Sequence, residues 1–259
     1  MTDAPVLYEV KEKIATITIN RPENRNSMDT ETLAAFRESV QKVKADKSVR
    51  CVIVTGSGKS FCAGADFKNR MGGDEPTPNL ALQNVYGPFL DIGEIKPPTI
   101  AALNGHAIGG GFGLALICDI RVAANEAKYG ANFARLGLHT GMAVSYMLPQ
   151  IVGLPTANEL LFTGRLINGK QSKEIGLVNY SVEASEVYAK AWELAKEIAA
   201  CAPVAVQMIK RSVYRGLEWR PEEAAEFEAH CQSRTSEMDD AREGIAALLE
   251  KREPNFQGK

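Results

Sequence analysis

Apolar and polar residues alternate over residues 7–10 and 14–19, with the polar run Lys11-Glu12-Lys13 between them, which predicts a β-hairpin. Arg21-Pro22 ends the second strand, and residues 23–28 make a polar loop. Leu33, Phe36, Val40 and Val43 then recur at helical spacing behind Asp29, a suitable N-cap. Residues 51–55 are continuously apolar, as in a strand buried on both faces. The small and polar residues 56–66 predict a turn, and 71–79, with Gly72-Gly73 and two prolines, a mobile loop. A helix over 80–95 ends before Lys96-Pro97-Pro98.

The stretch 99–123 organises the rest. It predicts a short strand (99–103), a turn at Asn104-Gly105, a glycine triplet, an apolar helix and a second strand. Gly109, Gly110 and Gly111 are entropically costly at a helix start. Such a start has unpaired amides and a partial positive charge, suited to an oxygen that becomes negative. From the residues alone, close helix packing and an anion-facing helix start both remain open. GGGFG lacks the G-x-G-x-x-G spacing of dinucleotide binding. Gly58-Lys59-Ser60 is no phosphate loop either, because Ile53 occupies the position of that motif's first glycine.

Further along, 142–152, 155–163 and 169–175 predict short helices, 178–181 a strand, and 187–200 an amphipathic helix. Helices over 203–217, 221–238 and 241–251 follow with no low-complexity linker. The chain therefore reads as α/β, with a core over residues 1–200 and a helical part over 201–259 packed on it.

A formal charge of −2 with 24% charged residues gives no reason to expect a nucleic-acid or acidic-membrane partner. The first ten residues lack a basic start followed by an apolar run, and the apolar run 107–118 is too short to span a bilayer. Five cysteines, with no C-x-x-C pair, fit reduced thiols and a cytoplasmic setting.

FCAGAD (61–66) followed by NGHAIGGGFGLALICD (104–119) resembles the crotonase, or enoyl-CoA hydratase/isomerase, superfamily, and the likeness continues through the C-terminal LLEKREPNFQGK. The resemblance implies a spiral of strand–strand–helix units whose C-terminal helices build a trimer or a dimer of trimers. It also implies an acyl-CoA thioester as substrate, with coenzyme A entering as part of that substrate and no resident metal or cofactor. By the same resemblance, Ala65 and Gly110 supply the two N–H groups that hold the thioester oxygen. Ala63, Asp66, Phe67, Lys68, Asn132, Phe133, Thr140 and Phe256 line the substrate and CoA groove, with Lys68 near phosphates and Asp66 ordering the turn.

The departures bear on the reaction. Hydratases of this family use two glutamates, and those positions are Gly113 and Phe133 in this chain. Gly141 stands where isomerases and a dehalogenase of the family carry a carboxylate. His139 lies in the loop that carries acid–base groups and has the pKa range for proton transfer. A catalytic role and a backbone-bonded loop role are both open for it. Asn132 could orient a water or cap the next helix, and His106 reads as packing or pocket lining. Hydratase or isomerase chemistry is the leading expectation; decarboxylation, thioester or C–C hydrolysis, or acyl-CoA binding without catalysis are the alternatives.

Overall fold

The structure is a computed structural model that describes residues 4–64 and 77–259. It opens on the expected hairpin, β1 (Val6–Lys11) and β2 (Ile14–Ile19), paired antiparallel. Glu12 and Lys13 form the two-residue turn with φ of 51° and 66°, the left-handed pair that suits the twist of a hairpin. In α1 (Thr30–Ala45), Asp29 accepts from the Thr32 N–H at 2.8 Å, and Leu33, Phe36, Val40 and Val43 are buried. That cap contributes about 1 kcal/mol. β3 (Cys51–Gly56) is buried along its whole length.

Next come β4 (Ser60–Cys62), α2 (Pro78–Leu90), β5 (Thr99–Leu103), β6 (His106–Ile108), α3 (Gly110–Ile117), β7 (Ile120–Ala124) and β8 (Tyr129–Gly130). Then follow α4 (Val144–Val152), α5 (Leu154–Thr163), α6 (Gly169–Glu174), β9 (Tyr180–Val182) and α7 (Val187–Ala200). The chain ends with α8 (Pro203–Arg215), α9 (Pro221–Ser236) and α10 (Asp239–Glu250). The mobile loop expected over 71–79 lies outside the described residues up to 76; Thr77 caps α2, which starts two residues earlier than expected.

The strands sort into two sheets. The larger has the order β1-β2-β3-β5-β7-β9, and the smaller β4-β6-β8. The chain thus alternates, one strand to each sheet and then a helix, as β3-β4-α2, β5-β6-α3 and β7-β8-α4. This is the strand–strand–helix repeat in physical form. Its second strands correct the sequence reading, which placed 60–62 in a turn and saw no strand at 106–108 or 129–130. Two or three residues are too few to establish a period of two; pairing across the small sheet makes them strands.

The partly buried Asp119 and the buried Arg121 hold the helical C-terminal part and the C-terminal end of α3. Asp119 accepts from the Thr99 N–H at 2.6 Å and from the Tyr214 hydroxyl at 2.6 Å, and pairs with Lys210 at 2.8 Å. Lys210 and Tyr214 lie on α8, so one carboxylate ties that helix to the start of β5. Breaking a largely buried pair leaves an uncompensated charge. Lys210→Ala is therefore expected to lower the unfolding free energy by about 3 kcal/mol, read from urea denaturation; an unchanged midpoint would show that the pair is dispensable.

Arg121 is buried and donates to the carbonyls of Cys118 (2.6 Å), Leu177 (2.8 Å) and Leu116 (3.3 Å). Its charge therefore meets the negative end of α3, and the positive end is left to face elsewhere. Burial pushes the Cys51, Cys62 and Cys118 thiols up to about 12. A thiol reagent should modify exposed Cys201 first and reach those three only on unfolding, which mass-mapped alkylation would check.

Candidate active site

The three strands of the small sheet run parallel, and their C-terminal ends lie side by side: Cys62 pairs with Ala107, and Ile108 with Gly130. Each strand delivers one piece of a cleft. β4 leads into Ala63-Gly64, β6 into the glycine triplet, and β8 into Asn132-Phe133. Ligands in parallel α/β sheets bind at this end of the strands.

Asparagines brace the turns behind the cleft. Asn26 donates to the carbonyls of Ser57 (2.9 Å) and Ser60 (2.7 Å), while Asn104 accepts from the Gly56 N–H (3.1 Å) and donates to Gly58 O (3.0 Å). The turn after β4 is fixed by the Ala63 N–H donating to Arg25 O at 3.1 Å and the Met28 N–H donating to Gly64 O at 2.8 Å. The Ala63 amide is therefore committed to the protein, and only the rest of that residue can face a ligand.

Gly64 and the triplet are in direct contact. A Cβ on Gly64 would lie 2.8 Å from both Gly110 N and Ile108 O. Gly64 (φ +83°) and Gly109 (φ +58°) both take left-handed backbone, which turns the chain sharply at the cleft and favours glycine. Gly110 opens α3, so its N–H precedes the first intrahelical bond, made by the Gly113 N–H to Gly109 O at 3.1 Å. Gly111 packs on the Cys62 carbonyl, as the close-packing reading expects, and Gly110 begins the helix, as the reading of an anion-facing helix start requires. Ala65, Asp66, Phe67 and Lys68 lie outside the described residues. Cys62, with its thiol pushed up to about 12 by burial and its sulfur accepting from the Gly64 N–H at 3.4 Å, is no nucleophile.

The chain belongs to the enoyl-CoA hydratase/isomerase family. The sequence profile of that family, described as Enoyl-CoA hydratase/isomerase, matches residues 9–259. The chain is 37% identical over 257 residues to a crotonyl-CoA hydratase of Syntrophomonas wolfei, covering 98% of both proteins. It is 35% identical over 258 residues to the human mitochondrial methylglutaconyl-CoA hydratase, covering 98% of this chain and 76% of that one. The crystal structure of an enoyl-CoA hydratase from Bacillus anthracis superposes with a TM-score of 0.94 at 32% identity, over 98% of this chain and all of that one. The chain is accordingly an acyl-CoA enzyme of the crotonase superfamily with a crotonase-type α/β fold.

The structure gives the surroundings of Gly113 and Phe133, the positions that the sequence resemblance aligned with the hydratase glutamates. A Cβ on Gly113 would overlap Met142 Cβ and lie 3.2 Å from Met142 O and 3.3 Å from Met142 Cγ. Met142 is 2% exposed, and with Ala143 it takes left-handed backbone without being glycine (φ 58° and 54°). The space beside Gly113 is therefore filled by a methionine from the loop before α4. At the second, the Phe133 ring lies against the triplet, with Cζ 3.6 Å from where a Gly109 Cβ would be. Asn132 Oδ1 is 3.9 Å from the same point, and its side chain makes no cap bond to the following turn of 3-10 helix. The capping alternative for Asn132 is thereby set aside, and its amide oxygen lies beside Gly109.

His139 is exposed, and its Nδ1 lies 2.6 Å from Thr140 O, so the backbone-bonded role is present and Nε2 is left for other use. Thr140 Oγ1 is buried without a partner among the described residues. His106 is exposed and accepts from the Lys128 N–H through Nδ1 at 2.9 Å, joining β6 to the turn before β8. Phe256 packs on Gly244, its carbonyl accepts from Arg50, and it lines a cavity of about 380 Å³ between α8 and α10. Tyr86 on α2 is a residue beside this loop that the sequence did not single out. Its ring reaches Gly141, and nothing in the apolar run around it marks it beyond the hydroxyl.

Proposed function

We propose that this enzyme activates an acyl-CoA thioester by holding its carbonyl oxygen, as it takes on enolate charge, between the amides of Gly110 and Ala65. The observation that carries the reading is the contact between Gly64 and the Gly110 amide at the start of α3. Donors of this kind contribute about 3–4 kcal/mol each in a transition state. Hydratase or isomerase chemistry is the leading reaction class, supported by the names of the relatives. A decarboxylase or thioester or C–C hydrolase is the second reading, favoured by the occupation of both carboxylate positions by Gly113 and Phe133. In either case His139, with Nε2 unengaged, is the residue assigned to proton transfer, and Lys68 and Phe67 to the CoA groove.

Calorimetry with crotonyl-CoA against crotonic acid tests the core of this. Saturable heat is expected with the thioester and none with the free acid; no heat with either would refute acyl-CoA binding. A panel of acyl-CoAs followed by mass spectrometry then separates the reaction classes.

Self-association is part of the proposal. Ile245, Leu248 and Leu249 of α10 are 62%, 77% and 77% exposed in the single chain, an apolar face suited to burial between subunits. A trimer or a hexamer is expected by sedimentation at micromolar concentration, and a monomer would remove that part. Cytoplasmic residence is the accompanying reading, supported by the free thiols.

A further inference from the structure

A second cavity, of about 400 Å³, lies between α8, the end of α9 and the turn that precedes β5. Among the described residues, the cations Lys96, Lys210, Arg211, Arg215 and Arg234 line it, against the single carboxylate of Glu94. Glu94 is already paired with Lys44 at 3.4 Å. Lys210 is likewise committed, to Asp119 at 2.8 Å and to the Pro97 carbonyl at 3.1 Å. Arg211 is held over the Phe227 ring, 5.4 Å from its centroid. Lys96, Arg215 and Arg234 have no anionic partner among the described residues. The chain as a whole carries a formal charge of −2, so this is a local excess of positive charge in a concave setting, which focuses its field on an anion.

The cations are presented by packed elements. Lys210, with a side chain only 10% exposed, anchors α8 on the start of β5. Val204, Met208, Arg211 and Arg215 recur at helical spacing and turn one face of α8 to the cavity. The exposed apolar side chains of that helix, Ile209, Val213 and Leu217, follow a different stripe, so the face open to another subunit is not the one that lines the cavity. The cavity is also remote from the thioester cleft. Pro97 and Asp119 lie before β5 and after α3, whereas Gly110 opens α3, a helix of eight residues. That helix alone puts about 12 Å between them.

We propose that this cavity is a binding site for a phosphate ester with an apolar group, separate from the thioester cleft. Guanidinium forks bind phosphate oxygens through paired N–H bonds. Ile95, Val204 and Met208 give the rest of the molecule an apolar wall. A dianion held there offsets the unpaired charges and bridges α8, α9 and the turn before β5. Occupancy therefore stabilises the docking of the helical C-terminal part by mass action.

The test titrates phenyl phosphate and inorganic phosphate into the full-length protein by calorimetry. One site per chain is expected, with phenyl phosphate bound at least about tenfold more tightly because its ring leaves water. Arg215→Gln combined with Arg234→Gln should weaken phenyl phosphate about tenfold or more, the size of lost hydrogen bonds to a charged group. Lys170→Gln combined with Lys196→Gln, which removes the same charge from exposed positions outside the cavity, should leave it unchanged. Phenyl phosphate should raise the thermal midpoint of the unaltered protein and not that of the arginine variant. No heat with either phosphate, equal affinity for the two, or binding that survives the loss of both arginines would overturn the proposal. Crotonyl-CoA binding, measured on the same variants, is expected to be unchanged; its absence from the unaltered protein would refute the acyl-CoA reading and leave this site standing on the phosphate results.

Discussion

Gly64→Ala is expected to lower turnover of any thioester the enzyme accepts by about 10²–10³-fold, the effect of losing one oxyanion donor. The argument is geometric. The added methyl carbon would sit 2.8 Å from Gly110 N, where the thioester oxygen must approach, and 2.8 Å from Ile108 O. The backbone at Gly64 has φ +83°, so the alanine is also strained, at a cost of about 1–2 kcal/mol. Steady-state kinetics and urea denaturation separate the two effects. A variant that stays folded, with a modest loss of stability, and still loses kcat places the defect at the amide. Turnover close to that of the unaltered enzyme would mean that the Gly110 N–H does not meet the substrate. Binding of free coenzyme A, which has no acyl carbonyl, serves as the control and should change little.

Why the helix start at Gly110 was legible in the chain, while the short strands beside it were not, follows from how each is encoded. The hairpin, α1, β3 and α7 lie where the sequence placed them because each has several apolar residues at a fixed period with a turn or cap at its ends. Three glycines in a row are a local signal too, and they do open a helix at Gly110. The strands β4, β6 and β8 have no such signal. Two or three residues long, they exist through one another, and yet their ends assemble the cleft. Tyr86 and Met142 were hidden for a related reason. Each is an ordinary residue for its own segment, and each matters through a void left by a glycine far along the chain, Gly141 for one and Gly113 for the other. A glycine in the sequence announces an absence, and only the fold shows what fills it. Arg121 is similar: its role at the C-terminal end of α3 depends on carbonyls brought together by the turn into β7.

The filled void at Gly113 decides how the missing carboxylates can be tested. Syn hydration needs one group to activate water and another to deliver a proton, and each such group contributes about 10²–10⁴-fold. With Gly113 and Phe133 in place, crotonyl-CoA hydration should be slower by at least that factor than in a two-glutamate hydratase. Gly113→Glu alone is not expected to help, because its Cβ would overlap Met142 Cβ and crowd Met142 O at 3.2 Å. That single variant should lose stability, by about 1–3 kcal/mol for overpacking, and gain no hydration. Adding Met142→Gly removes the obstructing side chain and places a glycine where φ is +58°. Adding Phe133→Glu then supplies the second carboxylate. The triple variant is expected to hydrate crotonyl-CoA at least about 10²-fold faster than the unaltered protein, followed by loss of the enoyl-thioester absorbance. Rapid hydration by the unaltered protein that also survives His139→Ala would show that neither the two glutamate positions nor His139 carries the proton.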